Sequence, residues 1–113
     1  MSDRLWIALS TFADVASATD TARRLVDEAL VACAQVEERP ILSVYRWQGA
    51  VEQDPEILLR LKIAPATLDA AVRRLRALHP YDVPQIVWFE AEAEPAYAAW
   101  AREQCSGGSG SSA

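Results

Sequence analysis

The soft donors of this 113-residue chain are few: one histidine, His79, and two cysteines, Cys33 and Cys105. Copper and zinc favour imidazole and thiolate, so these three residues bound any soft-metal chemistry. No Cys-x-x-Cys or His-x-x-x-His spacing occurs, and a site would have to gather ligands from distant segments or from neighbouring subunits. His79 carries two readings. It is a metal ligand, or it is a histidine at a helix C-terminus, bonded to local carbonyls and favoured by the helix dipole when charged. Cys33 is expected in the core as a small hydrophobe, and Cys105, beside a Gly/Ser-rich tail, is expected to be exposed.

Carboxylate chemistry has little to work with. Glu37 and Glu38 occupy adjacent positions of an extended segment and face opposite sides, which suits them poorly to joint acid–base work. The chain has no Gly-x-Ser-x-Gly elbow, phosphate-cradling glycine loop or His-Glu-x-x-His helix, so it is not expected to be an enzyme. A net charge of −5 argues against a nucleic-acid partner, because neutralising phosphates needs a basic face. Arg73, Arg74 and Arg76 form a local basic patch in the last turns of an expected helix, where the helix dipole and solvation account for them.

No apolar run approaches the ~20 residues of a membrane helix, and the first residues lack the pattern of a secretion signal. The two distant cysteines fit a reducing compartment, so a cytoplasmic location without a membrane partner is expected. Hydrophobic residues at 51% and charged residues at 24% fit a soluble globular protein. One domain is expected over residues 1–105, followed by a flexible Gly/Ser tail at 106–113.

The elements that must position these residues follow from periodicity. Residues 5–9 (Leu-Trp-Ile-Ala-Leu) read as a strand covered on both faces. Val15, Ala18, Ala22, Leu25, Val26, Ala29 and Leu30 recur at helical steps, with Asp14 as the N-cap. Residues 33–47 read as an edge strand interrupted by Pro40, and Gln48-Gly49 as a turn. The return strand alternates, with Ile57, Leu59, Leu61 and Ile63 on one face and Glu56, Arg60 and Lys62 on the other. Pro65 opens a second helix whose stripe is Leu68, Ala71, Val72, Leu75 and Leu78. His79 and Pro80 end it, a last strand runs over residues 84–90, and a short helix starts at Pro95.

The order is βαββαβ plus a C-terminal helix. Two right-handed halves of this kind give the α+β ferredoxin-like split fold: a four-stranded antiparallel sheet with helices on one face and a long hairpin protruding from strands two and three. The first and third strands are central, the second and fourth are edges. The open face and the long edges are liabilities unless paired, so a closed homo-oligomer is expected. Tyr45, Trp47 and Tyr81 are expected to line an intersubunit pocket or to bury area between subunits.

Four motifs in order carry a resemblance: residues 29–34, the Ser43-x-Tyr45-x-Trp47-x-Gly49-x-Val51 hairpin with Glu56 and Lys62, His79-Pro80-Tyr81-x-x-Pro84, and Tyr97-x-x-Trp100. Together, over about Leu5 to Glu103, they resemble the CutA divalent-cation tolerance family. The resemblance implies a ferredoxin-like homotrimer related in architecture to the PII nitrogen-signalling proteins. It implies a role in copper and other divalent-metal tolerance rather than a reaction, with copper(II) or another divalent cation as partner.

It also implies, in copper-binding members, a cysteine ending the first strand, a histidine pair opening the elbow and a glutamate after the second proline. Here those positions hold Ser10, Leu78 with His79, and Gln85. Metal binding is therefore expected to be weak, with His79 the remaining soft ligand and no metal required for folding. Two other functions stay open. One is a PII-like sensor binding an anionic metabolite at intersubunit clefts near Arg46 and Tyr81. The other is a structural trimeric scaffold.

Overall fold

The computed structural model describes residues 3–107. Its elements are β1 (Arg4–Phe12), α1 (Val15–Asp27), β2 (Cys33–Val36), β3 (Ile41–Trp47), β4 (Ala50–Ile63), a 3₁₀ turn (Pro65–Thr67), α2 (Leu68–Leu78), β5 (Ile86–Glu92) and α3 (Pro95–Gln104). The sheet runs β2-β4-β1-β5, all neighbours antiparallel, and β3 pairs with the outer half of β4. The long central strands are thus β1 and β4, as the apolar patterns require. The extended segment expected over residues 33–47 is two strands rather than one. Residues 37–40 break it, and Pro40, which has no N–H to donate, ends that break.

The Asp14 carboxylate caps α1 by accepting from the Ser17 N–H at 2.7 Å, which also holds the Asp14 pKa below its usual range. Ala18, Thr21, Ala22 and Leu25 turn inward at three- and four-residue steps. The helix is shorter than its apolar stripe suggests: it stops at Asp27, Val26 is 44% exposed, and Ala29 takes a left-handed φ of 58°. Leu30 nonetheless reaches the core from the following connection. Gly107 donates its N–H to the Ala29 carbonyl at 2.9 Å, and a side chain there would run into the Glu28 carbonyl. The beginning of the Gly/Ser segment is therefore docked, and residues 108–113 lie outside the described part.

α1 and α2 cover one face of the sheet. Leu25 and Leu75 meet Ala8, Phe12, Leu59 and Leu61 there, each fully buried leucine contributing about 1.5–3 kcal/mol relative to exposure. Thr67 Oγ1 donates to the Leu30 carbonyl at 2.8 Å, and Arg74 clamps both oxygens of Glu28 at 2.8 Å, so α2 is registered on α1 at two points. Of the three arginines of the basic patch, Arg73 pairs with Asp69 and Arg74 with Glu28. α3 packs a second cluster of Leu5, Ala32, Ala64, Ala101 and Cys105.

The other face stays open. Register pairs Ile7 with Phe89 and Leu9 with Val87, and Phe89 and Val87 are 48% and 49% exposed.

Candidate functional site

The hairpin, the elbow after α2 and the end of β1 enclose one concavity. Gln48 and Gly49 close the hairpin with φ of 51° and 86°, the paired positive values of a tight type I′-like turn. That turn sets the register Trp47↔Ala50, Tyr45↔Glu52, Ser43↔Asp54 and Ile41↔Glu56. Residues opposite one another share a face, so Ser43, Tyr45, Trp47, Asp54 and Glu56 project to the same side. Arg46 projects to the other.

The elbow is held by His79. Its N–H caps α2 by donating to the Leu75 carbonyl at 3.0 Å, and its ring stacks on Phe12 with centroids 4.2 Å apart. Nε2 lies 2.9 Å from the Thr11 carbonyl oxygen, and Nδ1 accepts from the Tyr81 N–H at 3.2 Å. A carbonyl only accepts, so Nε2 carries the proton and the ring is the neutral tautomer. Burial lowers the His79 pKa from its ordinary value, against the opposing pull of the Thr11 carbonyl and Glu56.

Pinned in this way, Tyr81 swings its ring over the hairpin, and its hydroxyl donates to Glu56 Oε2 at 3.1 Å. Tyr45 Oη donates to Asp54 Oδ2 at 2.5 Å. Both phenols are pushed up to about 12, Tyr45 chiefly by its bond to Asp54 and Tyr81 by burial and then by Glu56. The concavity measures about 770 Å³ and is lined by these residues with Thr11, Trp47, Val83 and Gln85 among others.

The structure thus brings Tyr45, Trp47 and Tyr81 to one pocket within a single chain and sets His79 behind its wall. Sequence reasoning missed Asp54 and Thr11. Asp54 was legible as the residue two before Glu56, on the same strand face. Thr11 was not, because only the fold brings the end of β1 under the hairpin. Glu56 and Lys62 do not meet: Lys62 donates to Gln35 at 2.6 Å, six residues along β4.

Neither cysteine is placed as expected. Cys105 is buried against Leu5, Ala32 and Ala101, because the end of α3 folds back on the sheet; Cys33 is half-buried beside Tyr97.

The donor set does not fit a soft-metal centre within one chain. Both His79 ring nitrogens are engaged, and coordination would break the bond to Thr11 or to Tyr81. Ser10 Oγ is buried with no hydrogen-bond partner among the described residues. Among the described residues no three His, Cys, Asp or Glu side chains are grouped to hold a metal ion.

A sequence profile described as CutA1 divalent ion tolerance protein matches residues 6–104. The chain is 39% identical over 98 residues to the divalent-cation tolerance protein CutA of Thermus thermophilus, spanning 86% of this chain and 94% of that protein. It is 37% identical over 84 residues to the protein CutA homolog of Xenopus laevis, spanning 74% of this chain and 55% of that longer protein. The crystal structure of CutA from Xylella fastidiosa superposes with a TM-score of 0.86 at 36% identity, covering 93% of this chain and all of that one. No helix among the described residues is long and apolar enough to cross a membrane.

Proposed function

Because the chain belongs to the CutA1 divalent ion tolerance protein family, we propose that it serves divalent-metal tolerance as a non-enzymatic homotrimer that meets copper(II) or another divalent cation weakly. The observation that carries the weak encounter is the commitment of both His79 nitrogens, which leaves the one histidine no lone pair for a metal unless the elbow opens. Assembly is supported by the open apolar face of the sheet and by exposed Leu42, Val44 and Val51 on the hairpin. Two unpaired cysteines speak for the cytoplasm. The single-chain pocket is lined by Asp54 and Glu56 and by no cationic side chain, so it offers an anion little; a sensor of an anionic metabolite at an intersubunit cleft near Arg46 and Tyr81 stands as the alternative.

Native mass spectra with and without stoichiometric copper(II) test this reading. The expected result is a trimer that sheds its copper on dilution into the micromolar range. A trimer that retains a whole number of coppers would replace the weak encounter with a resident centre, and a monomer would remove the assembly.

A further inference from the structure

We propose that the concavity between hairpin and elbow is an aromatic cage for a quaternary ammonium group, with the rings of Tyr45, Trp47 and Tyr81 as its walls. The rings come from two separate segments. Tyr45 and Trp47 stand two residues apart on one face of β3, and Tyr81 enters from the elbow, so the cavity of about 770 Å³ has aromatic surface from both.

The rings are free to receive a guest. Among the described residues Tyr45 and Trp47 contact no other aromatic ring and keep 41% and 47% of their surface exposed, while Tyr81 meets only His79, tilted at 60° with centroids 4.8 Å apart. A ring face carries negative charge density, and one that no aromatic edge covers is open to a cation.

The rings are also held before any guest arrives. Tyr45 donates its hydroxyl to Asp54, Tyr81 donates its hydroxyl to Glu56, and the Tyr81 N–H is bonded to His79 Nδ1. Walls fixed in this way lose little freedom on binding. Each phenol spends its polar end on a carboxylate, so what it offers the cavity is ring surface. The carboxylates act here as anchors of the rings rather than as ligands.

The chemistry of the lining selects the guest. No lysine or arginine lines the cavity, so nothing in it neutralises an anion. A primary ammonium asks for hydrogen-bond acceptors around its three N–H groups, whereas a quaternary ammonium has none to satisfy and is held by ring faces alone. This site stands apart from the metal reading, because no nitrogen or sulfur donor takes part in it.

Isothermal titration of the intact assembly with choline, with its uncharged isostere 3,3-dimethylbutan-1-ol and with ethanolamine tests the proposal. The expected result is saturable choline binding, with the isostere and ethanolamine each weaker by about tenfold or more. Trp47→Leu should weaken choline by about tenfold, and Trp47→Phe, which keeps a ring, should bind choline more tightly than Trp47→Leu does. Trp47 is half-exposed, so circular dichroism and oligomeric state should be unchanged in both variants. The comparison of the three ligands on the parent protein needs no variant. No saturable binding at millimolar choline, equal binding of the isostere, equal binding of ethanolamine, or unchanged affinity in folded Trp47→Leu would overturn the cage.

Discussion

His79 is held from three sides, by the Thr11 carbonyl, by the Tyr81 N–H and by the Phe12 ring. Truncating it to alanine removes two hydrogen bonds and a stacked ring, and we expect a loss of about 2–4 kcal/mol, read as a lower urea midpoint at unchanged slope. A loss below about 1 kcal/mol would mean that the elbow is held by other contacts. The pH dependence has a definite sign. Burial sets the folded pKa below the unfolded value of about 6.5, so the unfolded chain takes up the proton first. Stability is therefore full above about pH 6.5 and falls as pH drops towards the folded pKa. Glu56, the one charge acting on the ring, opposes the shift but does not cancel it. Thermal scans across this range should show the decline in the parent and a smaller one in His79→Gln.

At the scale of elements the hairpin turn positions half the pocket. Gly49 has φ of 86° with no atom near an added Cβ, so its backbone conformation rather than space demands glycine. Gly49→Val should cost about 1–2 kcal/mol or more in chemical denaturation, since a β-branched residue resists that conformation. An unchanged midpoint would show that the turn re-forms with another geometry. The turn, the alternation of β4 and the Asp14 cap were legible because each follows from local backbone chemistry. The end of α1 was not. Its apolar spacing continues to Leu30, yet Ala29 enters the left-handed region so that Leu30 can leave the helix and still enter the core. A stripe records which residues are buried, and here two different elements bury them.

At the scale of the whole molecule, the protruding hairpin stretches the chain to 47 Å along its longest axis, and one sheet face keeps Phe89 and Val87 uncovered. The apolar run of β1 implies cover on both faces, while α1 and α2 cover one. In the proposed assembly another copy covers that face, so Phe89→Glu should shift the protein towards smaller species in sedimentation velocity without lowering its helix content. An unchanged sedimentation coefficient would place the contact elsewhere.

The sequence by itself determined the order and type of the elements apart from the break within residues 33–47, the central places of β1 and β4, the hairpin turn and the family, because hydrophobic period, turn residues and caps act over a few neighbouring residues. Tertiary structure alone decided that Thr11 lies beneath the hairpin, that both His79 nitrogens are spoken for, and that Cys105 rather than Cys33 is buried. Each of these depends on contact between residues far apart in the chain. Hydrogen-bond partners and burial are properties of such contacts, and no local spacing encodes them.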